Sequence, residues 1–158
     1  MISRLNLNNI SAILKIVKKH NIKCTFRPAT ALLYGSNLKN PLSPSINEYR
    51  NLIDMLILEK KGENRYILNS LDGLKYLRKW PGPRKISCMS GKTFFHIEPN
   101  GRIYPCIWGR SLESLPSRDC LEIGVKKAIE ELPDAKCNGC WNGSLLELNL
   151  RSPAFLKN

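Results

Sequence analysis

The placement of cysteine constrains the fold and chemistry of this chain more than any other feature. Five of its six cysteines lie at or after position 88 of the 158 residues, and only Cys24 precedes them. Cys88 and Cys106 flank the segment MSGKTFFHIEPNGRIYP, whereas Cys137 and Cys140 form a C-x-x-C pair. Thiols clustered in this way form disulfides in exported proteins, and they hold metals or do redox chemistry in reducing compartments.

The flanked segment predicts a β-hairpin. The stretches KTFFHIE and RIYPC are its arms, and Pro99-Asn100-Gly101 is its turn. Pro99 presets the backbone for a type I turn, and Gly101 can adopt the left-handed bulge position that follows. Neighbouring strands lie about 5 Å apart, so the outer ends of a hairpin come close together. The hairpin therefore predicts that Cys88 and Cys106 reach the same ligand.

The C-x-x-C pair predicts the other half of a four-thiolate site. The members of that site are Cys88, Cys106, Cys137 and Cys140. The pair's spacing lets both thiolates face one metal while backbone N–H groups point at the sulfurs. Zinc ribbons use two short knuckles and this chain has one, so the long gaps favour a single [4Fe–4S] cluster, with zinc as the alternative. A redox pair is less favoured because the motif follows a predicted helix and precedes an Asn-Gly turn.

The other two cysteines and both histidines are predicted to lie outside this site. Cys24 sits in a short apolar stretch and is predicted to be a core residue. Cys120 starts a predicted helix, where it is a spare ligand, a reactive thiol or neither. His96 lies mid-strand with no acidic partner nearby in the sequence, and His20 ends a helix. A thiol enzyme using Cys120 or Cys137 would need one of these histidines as its base.

The first part of the chain predicts a piece of an α/β fold. Apolar residues spaced three and four apart predict a helix over 6–21, capped by Ser11 or a preceding asparagine. The stretch IKCTFRP, 22–28, predicts a strand, and 2–6 is expected to be the tail of a strand before the helix. The Gly, Asn, Ser and Pro content of 29–45 predicts a loop.

Three more helices are predicted further along the chain. The first covers 43–62, with Ser43 as its cap and a glycine at its end. The second covers 69–80 and is capped by Ser70, and the third covers 121–133 and leads to the C-x-x-C pair.

Composition and charge set the expected class. The chain is 42% hydrophobic and 24% charged, as in ordinary globular proteins, and no apolar run approaches the ~18 residues of a membrane helix. Its net charge is +12, from 25 Lys and Arg against 13 Asp and Glu. The basic residues are scattered, which favours a solvated surface over a nucleic-acid site. No secretory signal is visible, so a cytoplasmic protein without a membrane segment is expected.

The segment ILNSLDGLKYL…CMSGKTFFHIEPNGRIYPC…CNGCW resembles the C-terminal part of a known enzyme family. These are the radical S-adenosylmethionine enzymes with an auxiliary cluster domain of the SPASM/twitch type. The family motif is a cysteine, nine to fifteen residues, a glycine, four residues and a cysteine. Cys88, Gly101 and Cys106 match it, with 12 and then four intervening residues. A weaker resemblance relates 2–28 to the last helix and strand of the family's partial (β/α)₆ barrel.

Carried over to this sequence, the resemblance implies that the four cysteines ligate one auxiliary [4Fe–4S] cluster. No cysteine follows Cys140, so a second cluster is not implied. The family's C-x₃-C-x₂-C loop is missing, as is most of its barrel. The resemblance therefore implies an iron–sulfur module that holds a substrate or relays electrons, without binding or cleaving S-adenosylmethionine on this chain alone.

The expected fold class is α/β or α+β, in three parts. A barrel remnant covers 1–40, connecting helices cover 41–83, and a small cysteine-rich SPASM/twitch-like domain with a β-hairpin covers 84–158. The expected partners are a separate radical S-adenosylmethionine half or a second copy of the chain, docked through the barrel remnant, and a peptide or protein substrate. The alternative function is a zinc-stabilised basic domain that binds nucleic acid or protein.

Overall fold

The computed structural model of the protein describes residues 1–33, 36–62, 64–83, 86–107, 117–133 and 140–151. The chain divides into two compact units, the first made of Met1–Arg84 and Cys140–Leu150 and the second of Lys85–Gly139 and Arg151–Asn158. The described helices are α1 (Ile10–Lys19), α2 (Ile46–Lys61), α3 (Leu71–Leu77), α4 (Cys120–Ile123), α5 (Val125–Glu130) and α6 (Gly143–Leu150), with a 3₁₀ turn at Leu7–Asn9. The described strands are β1 (His96–Ile97), β2 (Arg102–Tyr104) and β3 (Arg118–Asp119), which form one antiparallel sheet. Helices with a small antiparallel sheet make the fold α+β, which confirms the predicted class at that level.

Helix α1 confirms the first predicted helix. Its apolar stripe is buried through Ile10, Leu14 and Val17, which follow the helical spacing that predicted them. The helix begins after Asn9, whose side chain makes no capping hydrogen bond, so burial of the stripe stabilises α1 more than its cap does.

The predicted strand over 22–28 is wrong, because its backbone pairs only at isolated points. Cys24 forms one parallel bridge to Ile67, and Pro28 forms one to Ile2. Both bridges have the parallel direction that an α/β unit requires, but neither extends into a ladder. The tail of a strand predicted before α1 is likewise reduced to the single bridge at Ile2.

Between those two bridges, the backbone forms hydrogen bonds with a side-chain amide. Asn69 Oδ1 accepts a hydrogen bond from Phe26 N–H at 2.6 Å, and Asn69 Nδ2 donates one to Phe26 C=O at 3.2 Å. Asn69 is completely buried. The amide takes the place of a neighbouring strand, which explains why no regular strand forms at this point.

Helix α2 confirms the second predicted helix but not its cap. Ser45 Oγ accepts a hydrogen bond from Glu48 N–H at 3.3 Å, so the cap lies two residues after the predicted Ser43. A serine followed three residues later by glutamate is the capping-box spacing, and that signal identifies Ser45. Gly62 ends the helix as predicted, and its N–H donates to Leu58 C=O at 3.0 Å.

Helix α3 begins as predicted and is shorter than predicted. Ser70 Oγ accepts a hydrogen bond from Gly73 N–H at 2.9 Å, which confirms the cap. The helix ends at Leu77 instead of residue 80. Trp80 beyond it is buried, and its ring lies 4.9 Å from that of Tyr49 in an edge-on arrangement, which joins α2 to the end of α3.

The predicted helix over 121–133 is wrong in the middle. Gly124 has a φ of +81° and a ψ of 147°, a conformation that an α-helix does not contain. It separates the short helices α4 and α5. Asp119 caps α4, and its carboxylate accepts from Leu121 N–H at 2.9 Å. The buried side chains of this region are Ile103, Cys120 and Ala128, which form the described core of the second unit.

Helix α6 was not predicted, and the predicted Asn-Gly turn is wrong. Asn142 Oδ1 accepts a hydrogen bond from Ser144 N–H at 3.1 Å, so this asparagine opens a helix instead of a turn. A Cβ on Gly143 would lie 2.5 Å from Phe26 C=O, which shows how closely α6 approaches that backbone. Within the described ranges, no helix has the length and apolar character needed to cross a membrane.

Candidate metal centre

The predicted hairpin turn is confirmed. Gly101 N–H donates to Glu98 C=O at 2.9 Å and Glu98 N–H donates to Arg102 C=O at 2.8 Å, which closes the turn and forms the bulge. Gly101 has a φ of +81°, the left-handed conformation that the sequence required. A Cβ at this position would overlap the Leu121 side chain.

The two arms of the hairpin are shorter than predicted. Strand pairing covers His96 opposite Tyr104 and Ile97 opposite Ile103. The sheet has a third strand that the sequence did not predict. Strand β3 pairs with β2 and places Arg118 opposite Ile103. Ile103 is fully buried, so the middle of β2 is anchored in the core two residues before Pro105 and three before Cys106.

Cys88 is followed by a turn that belongs to neither arm. Lys92 N–H donates to Met89 C=O at 3.0 Å, and Gly91 N–H donates to Phe94 C=O at 2.8 Å. This turn occupies residues that were predicted to extend the first arm. Continuing the observed register would place Phe94, not Cys88, opposite Cys106. Strand pairing alone therefore does not bring Cys88 next to Cys106. The position of Cys88 depends on the turn that follows it.

Gly91 brings that turn against two other parts of the second unit. Its φ is +86°, and a Cβ on it would lie 3.1 Å from the carbonyl oxygen of Pro133 and 3.4 Å from Cβ of Pro105. Pro105 directly precedes Cys106, and Pro133 lies four residues before Cys137. Three stretches of chain that carry or lead to predicted ligands thus meet at a glycine. A Cβ at this position would press on the Pro133 carbonyl oxygen, so the approach is tight.

Two of the three described cysteines of the second unit are partly accessible. Cys88 and Cys106 are both half-buried. Thiolates in such a position can meet a metal without being sealed in an apolar core, and sulfur is the ligand type that zinc and iron–sulfur clusters prefer. The donor chemistry and the close approach at Gly91 both fit a thiolate-bound metal.

Ser90 adds a buried polar group to this place. Its exposed fraction is 1%, and its hydroxyl has no hydrogen-bond partner in the part of the chain that the structure describes. Ser90 lies two residues after Cys88 and directly before Gly91. Buried hydroxyl groups without a partner are uncommon in folded proteins and call for an explanation such as a bound ion or a redox role.

The structure describes only one cysteine of the C-x-x-C pair. Cys137 lies outside the described residues, whereas Cys140 is half-buried in the first unit. Trp141 packs on α3, with its ring 5.0 Å from that of Tyr76, and this contact fixes the chain directly after Cys140. Among the described residues, no group of three or more His, Cys, Asp or Glu side chains is placed to hold a metal ion. The four-thiolate set therefore stays a prediction.

Cys24 and Cys120 have free thiols in separate surroundings. Cys24 is half-buried and its sulfur donates to Tyr66 C=O at 3.5 Å. Burial raises the pKa of the Cys24 thiol above its usual range, with a smaller opposing effect of the charged N-terminus, which disfavours a reactive thiolate. Cys120 is 7% exposed and packs with Ile103 and Ala128 in the core of the second unit.

His96 has an acidic partner that was not predicted from the sequence. Its Nε2 lies 2.9 Å from Oε1 of Glu98, so the expectation of no nearby acidic partner is wrong. Residues two apart on a strand share a face, and this spacing was the available signal. The pair provides a local ion pair when the imidazole is protonated.

No protein-family model matches the chain, and a search of curated proteins gave no match. The resemblance to auxiliary cluster domains thus rests on the spacing of Cys88, Gly101 and Cys106 and on the C-x-x-C pair.

The contact at Gly91 leads to a stability prediction. Gly91→Ala should lower the free energy of unfolding by about 1–2 kcal/mol for the left-handed backbone. The free energy of unfolding should fall by about 1–3 kcal/mol more, because the new methyl group presses on the Pro133 carbonyl. Urea unfolding followed by circular dichroism measures both losses.

Gly101→Ala is the matched control for that prediction. Gly101 also has a positive φ, but the side chain that its Cβ would meet belongs to Leu121, which is 81% exposed and free to move. The control should therefore show mainly the backbone contribution. Equal losses in the two variants would mean that the approach at Gly91 is not tight.

Proposed function

We propose that this protein binds one [4Fe–4S] cluster through Cys88, Cys106, Cys137 and Cys140. We propose further that it works in the cytoplasm as an auxiliary-cluster module of a radical S-adenosylmethionine-type enzyme. The chain has no C-x₃-C-x₂-C sequence, so the proposal leaves cleavage of S-adenosylmethionine to a partner chain. A reducing compartment keeps such cysteines available as thiolates.

The observation that supports the proposal best is the meeting of three segments at Gly91. The turn after Cys88, the residue before Cys106 and Pro133 on the way to Cys137 are in contact there. Sequence separations of 18 and 31 residues between these cysteines would otherwise leave them far apart. Cys140 enters the proposal through the C-x-x-C spacing alone.

The two turns of the second unit and strand β2 would hold the ligand-bearing segments in place. The turn at Gly101 fixes the direction of β2, and burial of Ile103 holds that strand in the core. Cys106 follows on this anchored strand, so little conformational entropy is lost when its thiolate binds. The turn around Gly91 does the same for Cys88. When bound, a [4Fe–4S] cluster supplies a one-electron carrier or an iron that holds a substrate group.

A protein partner is supported by the surface of the first unit. Large apolar side chains are exposed on and around α1, among them Leu5, Ile16 and Ile22. Large apolar side chains left exposed on one segment are candidates for a protein-binding surface. We propose that a separate radical S-adenosylmethionine half, or a second copy of this chain, covers them, and that the substrate is a peptide or protein.

Metal analysis of protein purified without oxygen tests the proposal. The expected result is about four irons and about four acid-labile sulfides per chain, with an absorbance band near ~400 nm. A preparation that stays colourless and iron-free after reconstitution would reject the cluster. Iron content and sulfide content should be measured on the same sample, because loosely bound iron carries no sulfide.

The net charge of +12 favours one competing function, a zinc-stabilised basic domain, and metal analysis tests it as well. A zinc-stabilised basic domain would contain about one zinc per chain and no sulfide. It would also bind nucleic acid with an affinity that falls steeply as salt is raised, because phosphate contacts release counterions. One zinc and a strong salt dependence together would replace the cluster proposal.

A further inference from the structure

The hydroxyl of Ser90 is buried at a place where a polar group needs a partner. Its exposed fraction is 1%, and it neither donates nor accepts a hydrogen bond among the described residues. Burying a hydroxyl without a partner costs free energy, whereas an alanine would fill nearly the same space without that cost. The serine is therefore unfavourable in the metal-free protein.

The backbone holds Ser90 at the meeting point of the ligand-bearing segments. Ser90 forms a parallel bridge with Phe94, and Gly91 N–H donates to Phe94 C=O at 2.8 Å. Gly91 in turn lies against Pro105 and Pro133. Ser90 thus has little freedom to turn its side chain out to solvent, and it lies two residues from the sulfur of Cys88 along the chain.

We infer that the Ser90 hydroxyl donates a hydrogen bond to a sulfur atom of the cluster site, either the Cys88 thiolate or a sulfide of the cluster. This inference rests on the proposed function and assigns a residue beyond the four cysteines. Thiolate and sulfide carry negative charge and accept such hydrogen bonds, and the bond is stronger when the cluster is reduced and more negative. Ser90 is therefore a positioning residue that raises the reduction potential of the cluster.

The test compares iron-loaded wild-type protein with Ser90→Ala, using the full chain reconstituted with iron and sulfide. The expected result is a shift of the midpoint potential to more negative values in a mediated redox titration. The Fe–S stretching bands in resonance Raman spectra of the wild type should also move on transfer to deuterated water, and Ser90→Ala should lose that sensitivity. Ser90→Thr keeps the hydroxyl and should restore both properties.

Thr93→Val is the matched control on the same turn. Thr93 Oγ1 is exposed and donates to Met89 C=O at 3.3 Å, so removing its hydroxyl should leave the potential unchanged. In the metal-free protein, Ser90→Ala should unfold at the same urea concentration as wild type or a higher one. A hydroxyl with a purely structural role would give the opposite sign.

The outcomes separate this inference from the proposal beneath it. A wild-type protein that takes up iron and sulfide, with a potential unchanged by Ser90→Ala, overturns the role of Ser90 and leaves the cluster in place. A wild-type protein that takes up neither overturns the cluster proposal, and the role of Ser90 with it.

Discussion

Cys137→Ser is expected to reduce the iron content of anaerobically reconstituted protein from about four to below about one per chain. A serine hydroxyl is a poor ligand for iron–sulfur clusters, which select soft thiolates. The C-terminal part should also become less stable, because the free energy of metal binding adds to that of folding. Iron analysis and the near-400 nm absorbance, read at about the same protein concentration, measure the first effect.

Cys24→Ser is the control for that change. Cys24 lies in the first unit, and its thiol donates to Tyr66 C=O, a hydrogen bond that a serine hydroxyl can also make. This variant should keep its full iron content and almost all of its stability. Iron content in Cys137→Ser equal to that of the control would remove Cys137 from the ligand set and contradict the four-cysteine assignment.

The features that the sequence predicted well depend on residues close together in the chain. Ser70 caps α3 by a bond to a residue three positions away, and Gly101 closes a turn of four residues. Gly62 ends α2 through a carbonyl four residues earlier. These interactions need only local geometry, so residue type and spacing determine them.

The features that the sequence did not predict depend on distant partners. The strand expected over 22–28 fails because Asn69, 43 residues beyond Phe26, takes both backbone groups of that residue. Strand β3 has two residues and exists only because β2 offers an edge. No local pattern signals such pairings, since their free energy comes from contacts between remote segments.

The candidate site shows the same division. Spacing predicted Cys88 and Cys106 as ligands and correctly located the glycine of the hairpin turn, but it relied on the strands to bring the two cysteines together. In the structure, the segment after Cys88 meets the residue before Cys106 at Gly91. The dipeptide Ser90-Gly91 is an ordinary turn signal and does not indicate this contact. Ser90 became a candidate only when its burial and lack of a partner were visible.

Asn69→Leu is expected to give the largest loss of stability in the first unit. The side chain is fully buried and satisfies both Phe26 N–H and Phe26 C=O. Leucine has a similar size but leaves both backbone groups unpaired in the core, at about 1–3 kcal/mol each. The total of about 2–6 kcal/mol is a large part of the ~5–15 kcal/mol that stabilises a typical domain. Urea unfolding followed by circular dichroism should show a much lower midpoint, with α1 and α2 melting together.

Asn69→Asp tests how much the hydrogen bond that Asn69 donates to Phe26 C=O contributes to stability. An ionised carboxylate can still accept from Phe26 N–H, but it cannot donate to Phe26 C=O, and it faces that carbonyl oxygen at close range. A protonated carboxyl can do both, so the native state binds the proton more tightly than the unfolded chain does. The stability of the variant relative to wild type should therefore rise as the pH falls from about 7 towards about 4, the usual pKa of aspartate. Asn51→Asp on the exposed face of α2 should show no such recovery. A pH-independent difference between Asn69→Asp and wild type would mean that the bond to Phe26 C=O contributes little.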